Sequence, residues 1–467
     1  MTSVPSTVGI VASGEDVLND AVFWVDAGRS SILNGALSNL GTGGSALNAV
    51  FGNSTGVDSF DPALLTHTGT NYLYLPGLAS NYASRPDDPV LDITGDIEIV
   101  MRVAPDSWSP TAEQYLVAKY FTTTSQRSFA LSMTATGRLA FRNSVDGINA
   151  IYRESAISGF TAGTAYWIKV TLDVDTGSNT NLTTFSYAFD QTTEPSSWTT
   201  LSSTTTTSPV TTTTSIHSGS AALEVGSITS GVNSLAGKVY RAIVRNGIGG
   251  TTVFDADFTT GIASGAQTTF TESSANAATV TINRATSGRK SVAVTRPILL
   301  FGTDDYLEVA DNNLLDFGAS DSFTALVVVR QWNTPTSFGR YLDKKNGGGV
   351  GVGYSLSPNG ALLQPGMFLG DGANQVGRVS PTPTVGSLNV VSGVVDRTAQ
   401  TATVYTGITA GTSGSTSTLG SMSNAIALHI GVSNTLASAQ DFELVAAAVW
   451  RRALNANEIA TIVNRYT

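Results

Sequence analysis

Three tryptophans, Trp108, Trp198 and Trp332, stand in stretches whose composition is typical of loops. An exposed aromatic ring offers a large, rigid apolar surface, which is the platform that sugar binding needs. Such rings can equally be buried against a neighbouring subunit. The three tryptophans are therefore the candidate ligand-binding residues, with a glycan or another subunit as the partner.

Other reactive patterns in the sequence are weak. The three histidines, His67, His217 and His429, share no metal-ligand spacing. The glycine run from Gly347 to Gly353 leads into a strand pattern instead of a helix, so it predicts a turn and not a phosphate-binding loop. We therefore expect neither a transition-metal enzyme nor a nucleotide-binding enzyme.

The candidate residues must be positioned by strands and helices, and the clearest prediction of such elements comes from the end of the chain. From Leu444 to Trp450 apolar residues occupy both parities, which predicts a strand covered on both faces. Asn455 and Glu458 then have the spacing of a capping box. A short helix should follow, with its apolar positions at helical period: Ile459, Ile462, Val463 and Tyr466.

The pattern of strands that begins at Tyr72 recurs about 230 residues later in the chain, which indicates a tandem repeat. The alignment pairs segments of the same type in the same order: Tyr72–Leu75 with Tyr306–Val309, Lys119 with Lys344, Leu139–Phe141 with Met367–Leu369, Leu223–Gly226 with Leu428–Gly431, and Val239–Arg245 with Leu444–Arg451. Strands that alternate with Gly, Asn and Asp turns are typical of antiparallel double sheets. The repeat predicts one sandwich present in two copies.

The copies also suggest domain boundaries. Residues 1–20 are polar and unpatterned and predict an N-terminal arm. The hairpin signal Asn246-Gly247 ends the first copy and should bridge two domains, which we place at residues 21–250 and 251–467. The Ser/Thr-rich tract 199–215 lies inside the first copy and is best explained as a long hairpin or rim loop.

Composition limits the possible partners. The chain has 467 residues, a formal net charge of −10 and no cysteine. An acidic chain without a basic stripe does not suit nucleic acid, and no run approaches the roughly 18 apolar residues of a membrane span. We predict no nucleic-acid partner, no membrane insertion, no disulfide framework and, because residues 1–5 begin no signal-peptide pattern, assembly in a cytoplasm.

The second copy ends in residues that carry a family resemblance. Val449-Trp-Arg-Arg-Ala-Leu454 followed by Glu458-Ile459 resembles the last strand and turn of laminin G-like, concanavalin A-type jelly rolls. The resemblance implies an all-β fold of two tandem laminin G-like antiparallel β-sandwiches with a short C-terminal helix. Such sandwiches include lectins, glycanases, adhesion modules and virion proteins, so it implies a fold and leaves the ligand open.

The same resemblance suggests a cofactor. Many laminin G-like domains bind calcium through rim Asp, Asn and carbonyl oxygens, which suit a hard cation. On this basis Asp304, Asp305 and Asp311 are the candidate calcium ligands. Asp and Asn also favour turns for backbone reasons, so these residues are equally compatible with plain turns.

A hydrolytic role is the weaker expectation. Concanavalin A-type glucanases carry Glu-x-Asp-x-x-Glu on one strand, so that alternate carboxylates flank the glycosidic bond. The sequence contains no Glu-x-Asp. A hydrolase would have to assemble its carboxylate pair across strands, and we therefore expect a protein without enzymatic activity.

Further phrases, among them Tyr72-Leu-Tyr-Leu-Pro-Gly77 and Val280–Lys290, resemble laminin G-like repeat proteins of tailed bacteriophages. The resemblance covers most of residues 20–466 and implies a minor tail protein on the virion surface. The leading hypothesis is a non-enzymatic virion protein, homo-oligomeric on the particle, that contacts other virion proteins and host-surface glycans. The alternatives are a carbohydrate-binding adhesin proper, a capsid decoration protein without a receptor role, and a glycan depolymerase.

Overall fold

The structure is a computed structural model that describes residues 14–33, 35–52, 54, 61–177, 179–203, 205–206, 212–332, 339–360 and 362–467. Most of the predicted N-terminal arm and part of the Ser/Thr-rich tract lie outside these residues. The chain forms two compact units. One is the contiguous segment His67–Arg296, and the other combines Met1–Thr66 with Pro297–Thr467. We call them the contiguous sandwich and the split sandwich.

The contiguous sandwich consists of two antiparallel sheets. The first has the strand order Thr205–Thr206, Ala150–Ile157, Arg138–Ser144, Gln126–Met133, Gln114–Phe121, Leu223–Val225, Tyr82–Arg85, Thr279–Asn283 and Thr269–Thr271. The second has the order Thr199–Ser203, Leu182–Phe189, Tyr166–Asp173, Ile97–Pro105, Ala236–Asn246, Tyr72–Pro76 and Val292–Val294, with Thr251–Asp257 also paired to Ala236–Asn246.

The split sandwich repeats this plan. Its first sheet has the order Ile32–Leu33, Ala36–Leu37, Ala49–Phe51, Leu307–Val309, Leu428–Ile430, Leu342–Lys345, Gly353–Pro358, Pro365–Gly370 and Gln375–Val379. Its second sheet has the order Thr409–Ala410, Thr401–Thr406, Leu388–Asp396, Phe323–Arg330, Phe442–Trp450, Ile298–Phe301 and Ala63–Leu65, with Phe23–Asp26 paired to Phe442–Trp450 and Gly414–Ser415 paired to Thr401–Thr406.

Each sandwich has its own hydrophobic core between its two sheets. Strand residues point alternately to opposite faces, so every second side chain enters the core. In the contiguous sandwich, fully buried residues from both sheets meet there: Ile97, Ile99, Met101, Val103, Phe129, Leu131 and Met133. The corresponding set in the split sandwich includes Val327, Val329, Leu342, Leu356, Met367, Leu444 and Val449. These two cores confirm the predicted all-β double-sandwich fold.

The division of the chain differs from the boundary placed near residue 250. The Asn246-Gly247 hairpin forms, but both of its strands, Ala236–Asn246 and Thr251–Asp257, lie in the contiguous sandwich. The N-terminal strand Phe23–Asp26 instead pairs with Phe442–Trp450. Each sandwich body is therefore completed by a segment that the repeat had assigned to the other copy. A domain boundary does not fall within this hairpin, because a tight hairpin holds its second strand beside its first in the same sheet.

Sheet register also changes one pairing of the repeat. Leu307–Val309 pairs with Leu428–Ile430, and the segment in the same position of the contiguous sandwich is Tyr82–Arg85. Tyr72–Pro76 lies in the opposite sheet, beside Ala236–Asn246. The alignment of Tyr72–Leu75 with Tyr306–Val309 is thus wrong. Two successive strands, Tyr72–Pro76 and Tyr82–Arg85, lie in opposite sheets, and the second of them is the counterpart of Leu307–Val309.

A smaller shift affects a second pair of strands. Leu131 pairs with Phe141, whereas Leu356 pairs with Met367. Phe141 is therefore the counterpart of Met367, two positions away from the alignment made on the sequence. A shift of two residues keeps each side chain on its predicted face.

Three α-helices occur in the described residues: Gly14–Asn19, Phe258–Gly261 and Ala456–Tyr466. Three short 3-10 helices accompany them: Gly44–Leu47, Pro89–Leu91 and Asn313–Leu315. No helix in the described part of the chain is both long and apolar enough to cross a membrane.

The C-terminal helix has the predicted start and the predicted buried face. The Asn455 side chain accepts hydrogen bonds from the backbone N–H groups of Asn457 and Glu458, and Glu458 Oε2 accepts one from Asn455 N at 2.8 Å. The apolar positions are buried as expected: Ile459, Ile462, Val463 and Tyr466. Because this arrangement satisfies N–H groups at the first turn, the capping box is confirmed.

Residues 14–20 differ from the predicted arm, because Gly14–Asn19 forms a helix. Val17 and Leu18 are buried. Trp450 Nε1 donates a hydrogen bond to Val17 O at 2.8 Å, and Tyr466 donates one to Asp26 Oδ2 at 2.8 Å. The segment is therefore an integral part of the split sandwich.

Candidate functional site

The three candidate tryptophans occupy different environments. Trp108 is only 4% exposed and packs edge-on against Phe160, with ring centroids 4.8 Å apart. Trp198 is half-buried, and Lys169 Nζ lies 4.4 Å from its ring centroid. Neither ring meets the requirement for an open platform, and Trp108 is a core residue of the contiguous sandwich.

Trp332 lies in the split sandwich and is also half-buried. Its Nε1 donates a hydrogen bond to Glu443 Oε1 at 2.7 Å. Glu443 is fully buried and also pairs with Arg330. Trp332 therefore helps to satisfy a buried carboxylate, so the structure gives it a structural role.

The candidate calcium ligands do not converge. Asp304 is exposed, whereas Asp305 is fully buried and accepts a hydrogen bond from Gly302 N. Asp311 pairs with Lys344, with 2.7 Å between Oδ1 and Nζ. Among the described residues no cluster of three or more acidic or histidine side chains could hold a metal ion. These aspartates do not fit a calcium site in this arrangement.

A fully buried lysine takes the position that a cation would need in the split sandwich. Lys344 Nζ lies 2.7 Å from Asp311 Oδ1 and 3.1 Å from Asp316 Oδ1. It also donates hydrogen bonds to the carbonyl oxygens of Asn424, at 3.2 Å, and Ile426, at 2.8 Å. The ammonium group therefore fills an oxygen cage and fixes the loop that precedes Leu428–Ile430.

The contiguous sandwich repeats this cage around Lys119. Its Nζ pairs with Asp87 and lies 3.6 Å from Asp92 Oδ1. It donates hydrogen bonds to Gly219 O and, at 3.2 Å, to Ala221 O. Sequence comparison had matched the two lysines as members of the repeat, but it gave no sign that each one is buried in a cage of oxygens.

The outer face of the first sheet of the split sandwich carries a row of side chains that the sequence analysis did not identify. Six successively paired strands place one residue each in this row, which runs Glu308, His429, Asp343, Ser355, Phe368 and Gly377. The strand neighbours of these residues, including Leu342, Leu356, Met367 and Val376, point into the core. The row therefore faces away from the core.

Phe368 stands at the end of this row and is half-buried. A Cβ atom at Gly366 would lie 2.8 Å from Cε2 of the ring, and one at Gly377 would lie 3.2 Å from Cδ1. The ring thus rests against the backbone of two glycines. The stretch Gly366-Met-Phe-Leu-Gly370 contained this signal, because its single outward-facing aromatic stands between glycines of the same parity.

Phe368 lines a cleft of about 560 Å³. The other walls come from the glycine turn that follows Lys345, from Arg340 and from Ser438. The prediction that Gly347–Gly353 forms a turn leading into a strand is confirmed, since a strand begins at Gly353. The cleft has the volume of a small-molecule or oligosaccharide site.

Two basic side chains line this cleft beside the ring. Lys345 Nζ donates hydrogen bonds to Gly347 O at 3.0 Å and to Gly349 O at 2.8 Å, which fixes the glycine turn. Arg340 Nε donates one to Asp343 Oδ1 at 3.1 Å. Burial lowers the pKa of Lys345, and it raises the pKa of Asp343 against the opposing effect of Arg340.

A second cleft, of about 580 Å³, begins where the first one ends. The exposed Gly377 lines both clefts. Arg378 lines the second cleft, and its Nη1 donates a hydrogen bond to Gly377 O at 2.6 Å. The outer face of the sheet therefore continues across its edge strand Gln375–Val379 into a further concave surface.

The equivalent face of the contiguous sandwich is filled by side chains. Sheet register places Arg142 at the position of Phe368, and Tyr152 at that of Gly377. Arg142 forms a bidentate pair with Glu113, at 2.6 and 2.9 Å, and its guanidinium lies 4.4 Å from the ring centroid of Tyr152. Arginine and tyrosine thus occupy the space that glycine leaves open in the split sandwich, so the two copies have diverged at this site.

Comparison with known proteins supports the fold. Residues 301–460 match the Laminin_G_3 family, described as the concanavalin A-like lectin/glucanases superfamily. No curated protein matches the chain. Together with the antiparallel double sheets, the family match confirms the predicted laminin G-like, concanavalin A-like fold.

Several solved structures are similar at low identity. Domains LG4-5 of the mouse laminin α1 chain are 12% identical over 86% of this chain and 96% of that chain, with a TM-score of 0.28. The Ruminococcus gnavus IT-sialidase CBM40 is 13% identical over 32% and 91%, with a TM-score of 0.26. The binding domain of Paraclostridial Mosquitocidal Protein 1 is 15% identical over 37% of this chain, with a TM-score of 0.31, and the match spans only 44% of that chain.

Proposed function

We propose that this protein is a non-enzymatic glycan-binding protein of a bacteriophage virion, and that the first cleft of the split sandwich is its binding site. The observation that carries the glycan assignment is the cleft itself, in which Phe368 rests on glycine backbone between the basic residues Arg340 and Lys345. An aromatic surface with a few fixed polar groups is what a sugar ring requires. The virion assignment is supported by the sequence resemblance to tail proteins.

The polar groups of the cleft are held in place before a ligand arrives. Lys345 is fixed by two carbonyl oxygens of the glycine turn, and Arg340 is oriented by Asp343. Asp343 is itself buried, and its Oδ2 accepts a hydrogen bond from Asn434 N at 3.0 Å. Such preorganisation reduces the ordering cost of binding, which favours recognition by a small number of contacts.

We expect Phe368→Ala to raise the Kd for the glycan by about tenfold or more, because the truncation removes about 1.4 kcal/mol or more of ring contact. Glycan-array screening of the full chain, followed by calorimetric titration of the best ligand, measures the effect. Phe189→Ala is the matched control, since Phe189 is 74% exposed and lies in the contiguous sandwich.

Trp198→Phe is a second control and should leave the Kd unchanged, because this ring is covered by Lys169. Each variant is accepted only if its melting temperature matches that of the unmodified chain. Equal binding by Phe368→Ala and the unmodified protein would show that the glycan binds elsewhere.

The virion role is tested on the particle. Antibody to this chain, viewed by electron microscopy on intact phage, should label the tail and should block adsorption to the host. Label spread over the head with normal adsorption would favour a capsid decoration protein. Absence of label from every particle would refute the virion assignment.

One observation favours a second candidate, a glycan hydrolase. Glu308 and Asp343 flank His429 in the outward row, two strand spacings apart. Two spacings place the two backbones about 9.6 Å apart, just above the carboxylate separation of about 6.5–9.5 Å in inverting glycosidases. Against this role, both Asp343 oxygens are already engaged, and His429 Nε2 lies 3.2 Å from Glu308 Oε2. Release of reducing ends that is lost in Glu308→Gln would establish the hydrolase.

A further inference from the structure

We propose that the ligand is an acidic linear glycan, bearing carboxylate or phosphate groups, that occupies both clefts of the split sandwich and crosses the edge strand at Gly377. This inference rests on the proposed glycan-binding function and specifies its ligand class. It depends on the charges of the lining residues and on the continuity of the two clefts.

The charge of the two clefts is opposite to that of the whole chain. The chain carries 35 acidic and 25 basic residues. Within the described residues, the lining of the two clefts includes Arg340, Lys345 and Arg378 and no Asp or Glu. Arg340 is paired with the buried Asp343, so the positive charge of the clefts comes from Lys345 and Arg378. A basic concave surface on an acidic protein attracts anions locally, while the negative remainder disfavours nonspecific association with polyanions.

Lys345 and Arg378 can offer donors to a ligand. Of the three N–H groups of the Lys345 ammonium, two are bound by the glycine turn in the described part of the chain. Arg378 Nη1 is bound to Gly377 O, whereas its buried Nε has no hydrogen-bond partner among the described residues. Arg378 lines the second cleft, where its guanidinium can meet an anionic oxygen, and hydrogen bonds between ionised groups are among the strong ones.

The two clefts form a single path because a glycine separates them. Gly377 lines both clefts and lies directly opposite Phe368. A larger side chain at this position would stand between the clefts, and the equivalent position of the contiguous sandwich is Tyr152. Volumes of about 560 and 580 Å³ each correspond to a ligand site, so a chain of several sugars fits better than a single one.

The test uses the full chain with oligogalacturonates of two, four and six units, their methyl-esterified neutral forms, and a glycerol phosphate polymer as the phosphate-bearing probe. We expect the affinity for oligogalacturonate or for the phosphate polymer to increase with length, to disappear for the esterified forms and to decrease with added salt, because salt screens charge interactions. Single-stranded DNA of matched charge is the competing polyanion.

Two variants separate the clefts. Arg378→Gln should weaken binding of the four-unit and six-unit probes by about tenfold, because one hydrogen bond to a charged group is lost. The affinity for the two-unit probe should stay unchanged. Gly377→Leu should abolish the gain with length. Arg127→Gln is the matched charge control, because Arg127 lies in the contiguous sandwich near Tyr120 and lines neither cleft.

The possible failures are distinguishable. If neutral glycans bind as well as acidic ones and Phe368→Ala still removes binding, the acidic-ligand inference is overturned while the glycan-binding function stands. If no glycan of either kind binds, both fail. Binding of DNA that equals the best glycan would replace the glycan by a general polyanion.

Discussion

Replacing Lys344 by methionine is expected to lower the free energy of unfolding of the split sandwich by about 3 kcal/mol, the lower end of the range for removing one partner of a buried ion pair. The variant leaves Asp311, Asp316 and two carbonyl oxygens around an apolar side chain. The lower end applies because the Asp311 side chain is 36% exposed and water can partly solvate its charge.

Denaturant unfolding, followed by hydrogen exchange in each sandwich, measures this effect. Only peptides of the split sandwich should lose protection. Lys119→Met is the matched variant and should destabilise only the contiguous sandwich, where Lys119 pairs with Asp87. A Lys344→Met chain that also carries Asp311→Asn and Asp316→Asn should recover stability, since no uncompensated charge remains. Unchanged stability of Lys344→Met would show that the cage contributes nothing.

Phe23→Ala is expected to destabilise the C-terminal part of the chain by about 3–5 kcal/mol, the usual cost of truncating a buried phenylalanine. Phe23 is fully buried and belongs to the same core as Leu444 and Val449. Its strand pairs with Phe442–Trp450. A mutation near the N-terminus should therefore reduce hydrogen-exchange protection in residues 297–467 and leave residues 67–296 unchanged.

Phe254→Ala is the counterpart in the contiguous sandwich. Phe254 is fully buried and pairs with Val244, as Phe23 pairs with Val449. Its truncation should reduce protection within residues 67–296 only. If Phe23→Ala instead reduced protection in residues 67–250, the contiguous order of domains predicted from the repeat would be correct, and the strand Phe23–Asp26 would not belong to the split sandwich.

Local patterns predicted individual elements well. The strand that ends at Trp450 is buried at all nine positions, and the helix after Asn455 has the expected cap and buried face. Both depend on neighbours close in sequence, where periodicity and capping chemistry act directly. The likeness of Lys119 and Lys344 was equally visible, because a repeat preserves residue type at equivalent positions.

Long-range features were not predictable in the same way. The N-terminal segment and the segment after the Asn246-Gly247 turn have similar patterns, and no local pattern predicts which sandwich each segment completes. Trp108 looked like a loop residue, but whether a loop folds over its own side chains depends on residues such as Phe160 that are distant in sequence. The cleft is open because glycines beside Phe368 carry no side chain. Phe368 becomes a candidate binding residue only when the sheet register, which places Gly377 opposite it, is known.

The split sandwich has a consequence for how the protein is made. Val17 and Trp450, which share a hydrogen bond, are 433 positions apart. At about 5–20 residues per second, a ribosome needs roughly 20–90 s to travel between them. During that time the contiguous sandwich can fold, whereas the strand Phe23–Asp26 waits with its apolar residues and backbone groups unpaired. An unpaired apolar strand is prone to join other chains, so the yield of correctly folded protein depends on how well the nascent chain is shielded until its last strand emerges.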